Sequence, residues 1–272
     1  MLIRESEAAI EEYLLPNIDM DLASFVRCTT FRVFSVVFLG VDPGTLAFPT
    51  LQLVTGAVSD FYDDGQGKST LPLEVQNILC EWLPCEFPFA LDHILPAYEA
   101  LWRIIATTMV TCEDDETKVL RWVMLDFRDN PRDRQYRVCF GNVGESVSAI
   151  MDDAVKRITP IARPQHATTS TWPLSCIQYA SPQGSSMVGH PPTIQEALKF
   201  AALLASKIIG RIGVHYGISG ERVMGCHAAP WEQRKIFGVN RVQAQAQAPG
   251  HVAIDVVDIP RPHCNAHTSR HH

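Results

Sequence analysis

Four groups of residues in this chain have types and spacings that suit chemistry. Glu99 sits in Leu91–Arg103, LDHILPAYEALWR, within a stretch from Ile94 to Val110 that is apolar almost all round. An acid there either handles protons or is a buried or snorkelling member of a core helix kinked by Pro96. Asp153 and Lys156 sit in Ser148–Arg163, SAIMDDAVKRITPIAR. They are one helical turn apart on one face, the spacing at which opposite charges pair. Surface helices carry many such pairs. His190 follows Gly184 and precedes Pro191 in Ser181–Gly210, SPQGSSMVGHPPTIQEALKFAALLASKIIG. Its neutral imidazole suits a metal, although an ordinary loop histidine reads the same way. At the C-terminus, Cys264, His267 and His271, with Cys226 or His227, could ligate zinc. That segment lacks the apolar residues needed to support a ligand shell, so a disordered histidine-rich tail is the competing reading. GxSxG, Walker A, HExxH and GxGxxG motifs are absent.

Helices must position most of these residues. Glu5–Leu15 reads as a short amphipathic helix stopped by Pro16. Asp19 or Asp21 can cap a long helix to about Leu39, where Gly40 supplies the stop signal. Apolar residues recur at helical spacing over Pro49–Asp63 and Leu73–Leu83, and Ile94–Val110 reads as a central buried helix. The mixed-charge stretches CEDDETK and DFRDNPRDRQYR read as solvated loops around a short helix or strand at Val119–Leu125. Val147–Ile158 is helical, Thr168–Tyr179 favours short strands, and Thr193–Gly210 is the clearest amphipathic helix. Trp102 and Trp172 read as core or edge aromatics. Beyond Gly213 the chain turns low-complexity, with VQAQAQAPG followed by one strand-like run, HVAIDVVDI.

Composition bounds the function. A chain of 272 residues, 46% hydrophobic, suits one large domain or two small ones with a substantial core. A net charge of −7 argues against nucleic acid as the main partner, because phosphate binding needs a basic face. Eight cysteines without a CxxC pair, behind an acidic N-terminus that lacks a secretory layout, read as reduced thiols in a cytoplasmic setting. No apolar run reaches the ~18–20 residues of a spanning helix. The longest candidate, Val33–Val41, reads as a buried helix end.

Taken in order, the three segments around Glu99, Asp153 and His190 resemble three landmarks of a cytochrome P450. These are the oxygen-activating helix, the glutamate–arginine helix, and the haem-ligand loop with its following helix. Pro96, Ala97, Tyr98, Glu99 and Ala100 match the first, where the family carries a small-residue pair, an acid and a threonine. Glu99 keeps the acid, Ala100 loses the hydroxyl, and PAYE followed by LWR is similar to a divergent group of fungal P450-like proteins. Asp153 and Lys156 stand where the family has ExxR, and lysine cannot make arginine's bidentate fork. Pro182, Gly184, Ser186 and Pro191 match the ligand loop by position. Gln183 replaces the phenylalanine that shields the sulfur, and His190 falls where the cysteine ligand belongs. Cys226 and Cys176 are the alternative ligands, but neither has both a glycine-rich approach and a following apolar helix.

The resemblance covers Asp19 to Gly210 in patches. It implies a mainly α fold, a P450-like helical core with a few short β-strands, incomplete relative to the family. The domain reading is 1–212 for that core and 213–272 for a C-terminal extension. The implied cofactor is haem, with His190 as the metal ligand, Gly184, Asp153 and Lys156 around it, and Glu99, Ala97 and Ala100 on the catalytic side. The implied activity is monooxygenase-type tailoring of a small hydrophobic secondary metabolite, served by a reductase. The implied location is cytoplasmic, or peripheral to the endoplasmic reticulum without a membrane-spanning segment. Two alternatives stay open. One is a haem-free cavity protein, either a cyclase or isomerase with a pocket of Tyr98, Glu99 and Trp102 or a partner-binding pseudoenzyme. The other is a non-functional fragment.

Overall fold

The apolar stretch around Glu99 forms the longest helix among the described residues, and the rest of the described core is arranged about it. The structure is a computed structural model. It describes residues 2–14, 19–63, 70–83, 89–113, 118–139, 144–158, 194–212, 216–219 and 235–238. All belong to one compact unit, Met1–Gly238. The helices are α1 (Leu2–Tyr13), α2 (Leu22–Phe38), α3 (Phe48–Asp63), α4 (Leu73–Trp82), α5 (Phe89–Glu113), α6 (Lys118–Asp129), α7 (Asp133–Arg137), α8 (Val147–Ile158) and α9 (Ile194–Arg211). The described part is mainly helical. Three short strands, β1 (Asp19–Asp21), β2 (Tyr216–Ser219) and β3 (Lys235–Gly238), form an antiparallel sheet in the order β1-β3-β2. In its register Met20 lies opposite Ile236, which in turn lies opposite Ile218.

The boundaries follow local chemistry. Asp21 ends β1 and caps α2, its carboxylate accepting from the Ser24 amide at 2.8 Å. Gly40, at φ 71°, turns the chain out of α2 in a left-handed conformation that side chains disfavour. The Val41 amide then folds back to the Ser35 carbonyl at 3.1 Å. Pro96 lies inside α5 without ending it. Packing from five other helices outweighs the one hydrogen bond that the ring removes.

The centre of the core is α5, where Leu95, Leu101, Ile104, Ile105 and Met109 are fully buried. Each such side chain contributes about 1.5–3 kcal/mol of transfer free energy. α5 packs against α2, α3, α6, α8 and α9, while α9 also packs against α1, α6 and α8. α1 is held across both α2 and α9 by charge. Buried Arg32 donates through Nε to Glu5 at 2.8 Å and through Nη1 to Glu12 at 2.5 Å. Lys207 of α9 reaches Glu7 at 2.7 Å.

The mixed-charge region corrects the loop reading. DFRDNPRDRQYR carries the end of α6 and all of α7, and Val119–Leu125 is the middle of α6. Val123, Met124 and Phe127 form a narrow buried stripe, joined by Tyr136 with its ring centroid 6.0 Å from that of Phe127. A stripe of three among so many charges is masked in composition, yet it suffices once α9 and α5 cover it. The expected strands at 168–179 lie outside the described residues.

Candidate functional site

The Glu99 carboxylate sits in the core, 5% exposed, with both oxygens engaged. Oε1 accepts from the Ser59 hydroxyl at 2.8 Å, and Oε2 accepts from the Trp102 indole N–H at 2.8 Å. The Arg103 guanidinium, one turn along α5, stands 3.2 Å from Oε2 and donates to Asp63 at 2.7 Å. The helices build this cluster from two matching ladders. Ser59 and Asp63 are four apart on α3, and Glu99 and Arg103 are four apart on α5, so the two pairs meet side by side. The Trp102 ring lies between two cations, with Arg103 at 5.3 Å and Arg27 of α2 at 5.6 Å from its centroid.

Burial pushes the Glu99 carboxyl above its usual range. The Arg103 charge and the bonds from Trp102 and Ser59 offset only part of that. Protonated Glu99 is therefore tolerated better in the folded protein than the carboxylate is. Its contribution to stability is fullest below the ordinary carboxylate range and is lost as pH rises through the raised value. Glu99→Gln cannot titrate. The stability advantage of the parent over this variant is expected to shrink as pH rises from that range toward neutrality, read as urea midpoints across pH. A difference that grows with pH would mean that pairing, not burial, dominates.

Tyr98 is fully buried beside the cluster, edge-on to Phe31 at 5.1 Å, with its hydroxyl donating to the Arg27 carbonyl at 3.4 Å. Ala97 and Ala100 are buried helix-packing positions. Thr108 marks the opposite face of α5, about two and a half turns beyond Glu99. Its hydroxyl lies 3.8 Å from the Met151 sulfur of α8. The Glu99 carboxylate therefore points to α3, away from the face that meets α8.

This placement bears on the haem expectation. A proton-relaying acid beside haem needs a carboxylate facing an open site, whereas that of Glu99 is enclosed by Ser59, Trp102 and Arg103. Enclosed in this way, Glu99 is not placed to relay protons, and its part in the haem expectation becomes structural.

Asp153 and Lys156 do not form the expected pair. Asp153 takes Arg157, with Nε donating to Oδ2 at 2.7 Å, and Lys156 is exposed. The i,i+4 geometry gives the longer arginine the better reach. Both groups of that ion pair are half-exposed, so the bond adds little to stability. His190, Gly184, Cys176, Cys226 and the C-terminal histidine cluster lie outside the described residues. Among the described residues, no group of three or more His, Cys, Asp or Glu is placed to hold a metal ion. Cys28, Cys80, Cys112 and Cys139 are free thiols. No described helix is long and apolar enough to cross a membrane.

Sequence reasoning singled out Glu99 but missed Ser59, Asp63 and Arg103, which hold it. The signal was present. An acid and an arginine four apart in an otherwise apolar helix must satisfy one another, and a second helix with a polar pair at the same spacing is the natural neighbour. Comparison with protein-family models, with curated proteins and with solved structures finds no match.

Proposed function

We propose that this chain is a P450-like protein that acts on a small hydrophobic metabolite, with haem held by His190 and electrons supplied by a reductase. One observation carries this reading: the helices of all three motif segments converge. α5, α8 and α9 each pack against the other two, although their segments are far apart in sequence. Haem bound through imidazole supplies an iron centre suited to peroxidase-like or electron-transfer chemistry, because imidazole donates less electron density than thiolate. The chain's own contribution at Glu99 is to lock α5 to α3 in this reading, not to move protons.

A second reading is favoured by the enclosure of Glu99 together with Ala100 in place of a hydroxyl. In it the protein carries no haem and works as a cavity protein of cyclase or isomerase type, with a pocket other than the expected Tyr98, Glu99 and Trp102, which are buried among their own partners. An absorbance spectrum of protein expressed with a haem precursor, oxidised and then reduced under carbon monoxide, separates the two. The haem reading expects a Soret band of histidine-ligated type. A thiolate-type band would move the ligand to Cys226 or Cys176. A folded, colourless protein would overturn the haem reading and leave the cavity protein.

A further inference from the structure

α5 contributes nothing to one of the described clefts. This cleft is a cavity of about 410 Å³ framed by the end of α2, the α6–α7 junction and the first turns of α9. Its volume lies in the range of small-ligand sites. Its open apolar surface comes from Leu2, Val37, Phe38 and Pro131, over a buried aromatic floor of Phe127, Tyr136 and Phe200. Phe38 and Phe200 meet at 5.3 Å between centroids, and Phe127 and Tyr136 at 6.0 Å. Phe38 is only half-buried, so part of this residue remains open to the cleft.

The charges at the rim are unequal in their commitments. Lys199 is bound to Asp133 at 2.8 Å and lies 6.0 Å from the centroid of Tyr136. Glu196 stands in the first turn of α9, where the positive end of the helix offsets it. Arg132 lines the cleft, is exposed, and makes no side-chain hydrogen bond or ion pair with the described residues. A guanidinium left over at the mouth of an aromatic cleft matches a planar carboxylate, which it can engage through two parallel N–H donors.

We propose that this cleft binds a small aromatic carboxylic acid, its ring against the half-buried Phe38 and its carboxylate on Arg132. The proposal does not rest on the haem reading, since no cleft residue belongs to α5 and binding is measured on the chain without haem.

Calorimetric titration of the full chain with 2-naphthoate, and with the neutral 2-naphthylmethanol, tests it. One saturable naphthoate site per chain is expected, with the alcohol about tenfold weaker, the scale of one charge-assisted contact. Arg132→Gln, at an exposed position that spares the core, should bring naphthoate down to the affinity of the alcohol and leave the alcohol unchanged. The proposal is overturned by no saturable binding, by an alcohol that binds as well as the acid, or by equal naphthoate affinity in the variant and the parent.

Discussion

Arg103→Met is expected to destabilise the protein by about 3–5 kcal/mol at neutral pH, the range for breaking a buried ion pair by removing one partner. The reason lies in what the substitution leaves behind. Both side chains are under a tenth exposed, so Glu99 would lose its cation while still shut away from water. Asp63, more than half exposed, loses a partner at little cost because solvent replaces it. Methionine keeps most of the aliphatic packing beside Trp102, so the loss reports charge rather than volume. Two features identify the mechanism in urea denaturation. The loss should shrink as pH falls, since a stranded Glu99 is relieved by taking up a proton. The double variant Glu99→Gln/Arg103→Met should regain a large part of it, because no unpaired charge remains. A loss below about 1 kcal/mol, with no recovery in the double variant, would show that the pair is solvated and that the cluster does not lock α5 to α3.

His190→Ala is expected to erase the Soret band of protein prepared with a haem precursor, a complete loss rather than a graded one. His190 would hold the iron through an imidazole nitrogen, and alanine offers no donor in its place. The circular dichroism of the helices should be unchanged. An intact band in the variant would remove His190 as ligand, and a shift to a thiolate-type band would reassign the iron to a cysteine. Since Glu99 is enclosed, Glu99→Gln should leave the same band in place. The pair of variants thus separates a residue that holds the iron from one that holds the fold.

Most of the helical scaffold was legible because burial on one face imposes a period that the residues must obey. The helices over 147–158 and 194–211, the long α2 with a cap at Asp19 or Asp21, and the buried α5 were all readable from apolar spacing and end signals, and the structure puts the cap at Asp21. The α6–α7 region was not. Its charged residues outnumber a stripe of three buried side chains, and only the neighbouring helices reveal that the stripe is covered. Likewise the acid at Glu99 was conspicuous in an apolar helix, but its role was not, since a carboxylate facing a cavity and one enclosed by partners look the same in one dimension.

Residue type and spacing by themselves determined that this chain buries a long central helix with Glu99 in its apolar stretch, caps α2 with an aspartate at 19 or 21, and turns out of it at Gly40. Those outcomes depend on local hydrogen bonds, φ preferences and the helical repeat, all set within a few residues. Tertiary structure alone decided which partners the charges took. Ser59 and Asp63 reach Glu99 and Arg103 from forty residues away in the chain. The energy of a charge depends on distance and on access to water, and both are properties of how helices pack.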